Sequence, residues 1–445
     1  MSEQDQSKAD QDQSGADQDQ CGADQDQSKA IDCAKEGHSF FLTGAGGTGK
    51  SFVIKGIVRA LKALGKDVAL TAMTGCAALL LGKGARTLHS WAGIGLGKDP
   101  TEVLVKKIRV SKAKKNWLSM DTLIIDEISM MLPELLDKLD ELGRMLRRGK
   151  DSAKPFGGIQ VILVGDMNQL PPVTNGEQRF VFESVAWKNH IQTTVILTQV
   201  HRQTDSVFLK ILEEARAGNL SEESIRILET RKTTAWKKQE IKPTLLFTRR
   251  DDVESINTRY LQKCEGPDQT FTATTIEPKS LSKQEIEYAV EKLDKNGSYV
   301  CCLNLRKGAQ VMLLSNKYSD QGLVNGSRGI VESFNTLTRE PMVKFINGVV
   351  LSIGQHDWES DEYPGVKRSQ IPLRLAYAIT IHKAQGATLD CALIEIGRST
   401  FEYGQAYVAL SRVKSLDALY VWDLDPMAFK IHPKVAEFNR LIAAQ

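Results

Sequence analysis

From about residue 27 onward, short apolar runs alternate with longer stretches whose apolar positions recur every three or four residues. Phe40–Leu42, Val68–Leu70, Leu123–Ile125, Val161–Val164 and Val195–Leu197 read as strands. Between them, Leu132, Leu135, Leu136, Leu139, Leu142 and Leu146 fall on one helical stripe. The alternation predicts an α/β fold with βαβ units and a parallel sheet covered by helices. A second α/β unit starts near Leu197, with strands expected at Leu245–Thr248, around Ala376–Ile381 and at Leu419–Val421. Residues 305–360 change character. Short runs with Asn-Gly pairs at 325–326 and 347–348 predict a small antiparallel β module inserted in that second unit.

Two stretches depart from the pattern. Residues 4–31 repeat with a period of seven: QDQSKAD, QDQSGAD, QDQCGAD, QDQSKAI. The first three copies offer only alanine and one cysteine as apolar residues, so no coiled-coil seam forms. Residues 1–26 therefore read as a disordered acidic tail, either an inert expansion or a docking element for a protein partner. Residues 96–117 carry Lys98, Lys106, Lys107, Arg109, Lys112, Lys114 and Lys115 against Asp99 and Glu102, a basic excursion or a plain solvated face.

Charge and cysteine usage narrow the setting. The 445-residue chain has a net charge of +3, but residues 1–30 hold eight acids against two lysines, so the remainder carries +9. A basic body suits a polyanionic partner and equally an ordinary surface. The seven cysteines form no C-x-x-C pair, which points to a reducing intracellular compartment and to no structural zinc. No apolar run approaches the ~18 residues of a membrane span.

The chemistry lies at strand ends. Gly44-Ala-Gly46-Gly47-Thr48-Gly49-Lys50-Ser51 fits the phosphate-binding loop pattern, after a strand and before a helix. Its glycines let backbone N–H groups turn toward phosphate oxygens, Lys50 reaches the β and γ phosphates, and Ser51 ligates Mg²⁺. Leu123-Ile-Ile-Asp126-Glu127 ends a strand in two acids. Asp126 is expected to hold Mg²⁺ and Glu127 to act as general base on the attacking water. Gln169, after the strand ending at Gly165-Asp166, is placed to sense the γ-phosphate or the water; a loop-capping amide is the alternative. Arg202 and Arg412 are candidate arginine fingers, though either alone could be a surface ion-pair residue.

Taken in order, these motifs resemble the PIF helicases, relatives of RecD and Dda in superfamily one B. FFLTGAGGTGKS, TAMTGCAALLLGKGARTLHSWAGIG, DTLIIDEISMM, FGGIQVILVGDMNQLPPV, LTQVHRQ, KGAQVMLLSN, LRLAYAITIHKAQGATLD and YVALSRV carry the resemblance. SMMLPELLDKLDELGRMLRR is similar to the family's signature segment. The resemblance implies two RecA-like P-loop domains, 27–196 and 197–304 with 361–445, around an ATP cleft. It implies that 305–360 is an inserted Src-homology-3-like barrel and 96–117 a wedge that helps split a duplex. Gln27 matches an adenine-reading glutamine, although it lies within the glutamine-rich repeat. Gln385 and Gly386 match residues beside the nucleotide. Thr74, Gly75, His89, Asn257, His382 and Lys383 match positions near the bound strand; for His89 and His382 a satisfied core or loop role is the alternative. Trp91 stands where phenylalanine is usual and is a candidate stacking platform, with a core tryptophan as the equal alternative. His201 stands where tyrosine or phenylalanine is common.

The activity so implied is ATP- and Mg²⁺-dependent 5′→3′ travel on single-stranded DNA with unwinding of 5′-tailed duplex DNA. Two other readings stay open: an ATP-dependent switch that signals through a partner without unwinding, and a helicase domain cut from a recombination or transposition polyprotein.

Overall fold

The computed structural model describes residues 24–82, 84–95, 97–174, 176–278, 280–297, 299–360, 363 and 365–444. Most of the expected acidic tail lies outside the described residues. In the first lobe, β1 (Phe40–Gly44), β2 (Val68–Ala72), β3 (Arg86–Thr87), β4 (Thr122–Asp126), β5 (Gln160–Val164) and β6 (Thr193–Leu197) form a parallel sheet in the order β3-β2-β4-β5-β1-β6. All five apolar runs lie within these strands. β1, β4 and β5 are buried along their length because helices cover both faces. Val53, Ile54, Ile57 and Leu61 of the helix Lys50–Ala63 pack on one face. Leu136, Leu139, Leu142 and Leu146 of the helix Pro133–Leu146 pack on the other. Leu132 leaves the expected stripe: Pro133 takes the first helical position, and Leu132 is exposed ahead of it.

The fourth copy of the heptapeptide repeat is folded. The helix Gln25–Lys35 begins at an N-cap, Asp24, whose side chain accepts from the Gln27 backbone N–H at 2.8 Å. The expected boundary between tail and domain, at 26–27, therefore falls inside a helix. Only the fourth copy ends in isoleucine, and Ile31 packs over Gly56 so closely that a Cβ there would meet its Cδ1 at 2.9 Å. The earlier copies place aspartate at that position. Burial of Ala30, Cys33 and Ala34 completes the docking.

The basic excursion is a pair of short helices, Thr101–Val110 and Ala113–Ser119. Leu104, Val105, Ile108 and Trp117 enter the first-lobe core, while all seven cations stay exposed. Amphipathic spacing thus accounts for the charge run.

The second lobe has a four-stranded parallel sheet of Ala378–Thr380, Thr244–Phe247, Ala392–Ile396 and Leu419–Leu424, in that order. Its strand Ala392–Ile396 has no counterpart among the expected strands. The antiparallel region is larger than 305–360. Gln310–Leu313, Arg328–Phe334, Pro341–Phe345 and Val350–Ser352 form a sheet whose edge is completed by Leu373–Leu375, from beyond the expected limit. Asn347-Gly348 makes the tight hairpin turn expected of it, with Gly348 at φ +85°. Asn325-Gly326 instead closes a longer connection. Gln269–Thr272 pairs with Cys302–Leu305, and Thr274–Ile276 with Lys367–Gln370. These outer strands are poorly patterned because few of their residues turn fully inward.

The C-terminal helix Pro433–Ala443 crosses back to the first lobe. Val435 is buried in the first-lobe core, and Phe438 stacks on Phe182 at 4.2 Å. Contrary to the expectation from sequence, residues 361–445 are therefore not wholly second-lobe: their last helix straps the two lobes together. Among the described residues, no helix is long and apolar enough to cross a membrane.

Candidate nucleotide and nucleic-acid site

The carboxyl ends of β1, β4 and β5 meet at the lobe seam, where α/β sheets place ligands. The loop after β1 curls tightly. Gly47 and Gly49 adopt φ of +96° and +85°, which other residues reach only with strain. A side chain at Gly47 would strike the Arg202 Cβ at 2.8 Å, and one at Gly49 would strike the Gln27 amide at 2.9 Å. Gly44 is as tightly enclosed, by Thr48 and the Leu197 carbonyl. Thr48 is buried and donates to the Ala45 carbonyl at 3.0 Å. Lys50 donates to the carbonyls of Gly44 and Ala45, at 2.6 and 3.0 Å. Burial lowers its pKa, against the opposing pull of Asp166, Glu127 and Asp126. Ser51 is the second residue of the following helix and faces solvent.

Asp126 and Glu127 close β4. Burial, and then the neighbouring Glu127 charge, push the Asp126 carboxyl up to about 7. Asp126 is buried and forms no ion pair among the described residues, which suits a hard divalent ion. Mg²⁺ sites commonly use one or two protein oxygens together with substrate phosphates. The Ser51 hydroxyl and the Asp126 carboxylate are the fitting donors. Glu127 has φ +56°, an uncommon conformation for a non-glycine residue. Its Oε2 accepts from the Gln385 amide at 2.9 Å. A side chain at Gly386 would touch the other Glu127 oxygen at 3.3 Å.

The second lobe reaches directly into this site. Tyr407 OH accepts from the Gly46 N–H at 2.8 Å and donates to Asp166 at 3.2 Å. Arg216 clamps the same buried Asp166 with two N–H donors, at 3.0 and 3.1 Å. Burial alone would raise the Asp166 pKa, but the Arg216 charge holds it low. Arg202 donates to the Ser411 carbonyl at 3.2 Å. Arg412 is 1% exposed and donates to the carbonyls of Val408, Ala384 and Ala387 and to the Ser411 hydroxyl. Burial, then the Arg202 charge, push the Arg412 pKa down to about 10, so it remains a cation at neutral pH. The loop carrying Gln169 lies against second-lobe Gly404, where a Cβ would meet the Gln169 carbonyl at 2.7 Å.

Four buried glutamine oxygens in this region, on Gln27, Gln169, Gln203 and Gln385, have no hydrogen-bond partner among the described residues. Gln27 and Gln203 border the phosphate loop itself. Unanswered acceptors of this kind mark a pocket built for a polar ligand.

The family model for PIF1-like helicase matches residues 23–226, and that for the DNA helicase Pif1 2B domain matches residues 289–334. The crystal structure of Pif1 helicase from Candida albicans is 35% identical to this chain, with a TM-score of 0.80, covering 94% of this chain and 99% of that one. The chain belongs to the PIF1-like helicase family. A structure of Bacteroides sp Pif1 in complex with ADP-AlF4 is 28% identical, with a TM-score of 0.77, over 95% of this chain and 97% of that one. The ATP-dependent DNA helicase PIF1 of Homo sapiens is 42% identical over 408 residues, which are 91% of this chain and 61% of that protein. The chain spans about three-fifths of the length of the curated relatives it matches.

The PIF1-like residues expected near a strand are less uniform. Thr74 caps the helix Gly75–Leu81, and its oxygen accepts from the Ala77 N–H. His89 lines a cavity of about 360 Å³ with Tyr288 and Lys292 of the helix Lys283–Asn296; burial lowers its pKa. The Asn257 amide is fully engaged with Ala378, donating to its carbonyl at 2.9 Å and accepting from its N–H at 3.0 Å. It therefore positions the strand that leads to His382. His382 is half-buried and Lys383 faces solvent. Trp91 is a correction: it is 2% exposed and packs against Trp117 at 5.0 Å, so it offers no face to a base.

Tyr407, Gln203, Asp166 and Arg216 were not among the expected site residues. The first three lie within motifs that carry the family resemblance, where neighbouring glutamine and arginine signalled phosphate chemistry more strongly. Arg216 sits near the end of an ordinary amphipathic helix and gives no sequence signal.

Proposed function

We propose that this chain is an ATP-dependent DNA helicase that moves 5′→3′ along single-stranded DNA and opens 5′-tailed duplexes. One observation carries the coupling. A single segment, 373–386, contains Lys383 of the expected strand contacts and Gln385, whose amide holds Glu127 at 2.9 Å. Strand contact and general base are thus two residues and one hydrogen bond apart. The family membership and the likeness to Pif1 structures support the same reading.

ATP seats on the Gly44–Ser51 loop, with Gln27 reading the base and Gln385-Gly386 beside it. Lys50 exchanges its two carbonyl partners for β and γ oxygens, and the Gly46 N–H leaves Tyr407 for a phosphate. Arg202 and Arg412 turn from their carbonyl partners toward the γ-phosphoryl group, where charge develops. Glu127 accepts the proton of the attacking water, and Gln169 orients that water. Ser51 and Asp126 would hold Mg²⁺, which would supply Lewis-acid neutralisation of phosphate charge when bound. These exchanges change the contacts between lobes at Tyr407, Ser411 and Gly404, so closure and release follow the nucleotide.

The two basic helices at 101–119 serve as the wedge. The antiparallel module serves as a Src-homology-3-like insertion that guides the strand. Thr74, Gly75, His89, His382 and Lys383 contact the strand, with Asn257 supporting them. The acidic tail offers a docking element for a protein partner. ATP-driven displacement of a labelled strand from a 5′-tailed duplex tests the reading. Hydrolysis without strand separation would instead make the chain an ATP-dependent switch.

A further inference from the structure

Most arginines in the interior of the second lobe and its insertion are answered by acids. Arg328 makes a two-point pair with Asp390, Arg368 with Asp294 and Arg216 with Asp166. Arg374 is different. It is half-buried, and among the described residues its guanidinium makes no hydrogen bond or ion pair. The Lys383 ammonium and the Arg250 guanidinium are likewise unpaired among the described residues. All three line one cavity of about 610 Å³, together with Asn257, Thr258 and Thr380.

Acids do not neutralise this cluster. Asp268 also lines the cavity but is taken by Arg306 at 2.7 Å. Glu254, one turn from Arg250, is the remaining acid on the wall, and its pull on Lys383 is the weakest of the influences there. Burial lowers the Arg374 pKa, with only the Cys76 thiol opposing. Burial lowers that of Lys383, reinforced by Arg374 and Arg250. Three mutually repelling cations around one cavity form a site for a polyanion.

The location narrows the ligand. Cys76, which acts on both Arg374 and Lys383, follows Thr74-Gly75 on the first lobe, so these two cations lie on the side of the cavity nearest that lobe. Arg374 is the middle residue of Leu373–Leu375, which pairs with the antiparallel sheet through Met312. Arg374 therefore sits where insertion and second lobe meet, on the segment that continues to Lys383 and Gln385. A guanidinium fork matches a phosphodiester with two parallel N–H donors.

We propose that Arg374 is a phosphate-binding residue for single-stranded polynucleotide, taking backbone phosphodiesters jointly with Lys383 and Arg250. The assignment rests on the function proposed above and adds a contact that motif matching did not supply.

The test is fluorescence anisotropy of labelled oligothymidylate with the full chain, R374A, R374K and R250A over a salt series. R374A is expected to bind about 10-fold more weakly, with a log–log salt slope shallower by about 0.7, the single-strand value for one phosphate contact. R374K keeps the slope and recovers part of the affinity, because charge returns without the fork. Binding of a fluorescent ATP analogue stays as in the unmodified chain. An unchanged slope in a folded R374A would overturn the assignment, as would equal loss of analogue binding. If circular dichroism shows R374A unfolded, exposed Arg250 decides: a shallower slope in R250A supports the cluster, and an unchanged one rejects it. Inorganic phosphate added at constant ionic strength separates sources; erasing the difference between R374A and the unmodified chain would mean a free-phosphate site and would overturn a strand contact. If the unmodified chain binds no oligonucleotide, the helicase reading falls together with this one.

Discussion

At the lobe seam, Lys50, Arg202 and Arg412 are charged, enclosed and held by the chain's own carbonyls. In the second lobe, the side chains of Arg250, Arg374 and Lys383 line a cavity and meet no partner among the described residues. The proposed nucleotide site is closed on itself, its cations donating to carbonyls of the chain. The cation cluster is unanswered. A site that must open and close in every cycle can hold itself ready with exchangeable carbonyl contacts. A groove that must grip a polyanion and let it slide needs charge without fixed internal partners. The contrast teaches that packing and motif specify the first kind of site, while the second is visible only when side chains are counted and found unpaired.

K50A and E127Q strike the closed site: each should lower DNA-stimulated ATP turnover by about 10³-fold or more, the scale of losing a group that acts on the transferring phosphoryl. E127Q should retain binding of a fluorescent ATP analogue. Loss of that binding would make Glu127 structural. R412A should cost turnover by about 10³-fold with little change in oligonucleotide affinity measured without nucleotide. A parallel loss of affinity would dissolve the distinction between the two sites.

W91A tests the corrected reading. Removing a buried tryptophan packed on Trp117 should destabilise the fold by about 3–5 kcal/mol in chemical denaturation. A folded W91A of normal stability that binds oligonucleotide weakly would restore the stacking role. The smallest effect concerns protons. Burial raises the Asp126 carboxyl from near 3.8 to about 7, so the folded chain holds a proton there that the unfolded chain has released. Its contribution to stability is fully present below about pH 4 and is lost as pH rises through 7. D126N should flatten that part of the stability profile relative to the unmodified chain without Mg²⁺. An identical slope in both would show that Asp126 does not carry it.

Much of this was legible in sequence, for physical reasons. β1, β4 and β5 are buried on both faces and read as unbroken apolar runs. The glycines and Lys50 fall in a spacing that few folds other than a phosphate loop require. Other features were not legible. Ile31 decides where the repeat becomes a helix, through contact with Gly56 far along the chain. Leu373–Leu375 joins the antiparallel sheet through pairing that sequence separation conceals. The C-terminal helix returns to the first lobe because Phe438 finds Phe182 and Trp187 there. Trp91 could equally have been platform or core until Trp117 was seen beside it.

The most direct test of the central claim is ATP-driven unwinding of two matched duplexes, one with a 5′ single-stranded tail and one with a 3′ tail. The account predicts strand separation of the 5′-tailed duplex alone, abolished by K50A. ATP hydrolysis with neither duplex opened, or opening of the 3′-tailed duplex alone, would contradict it.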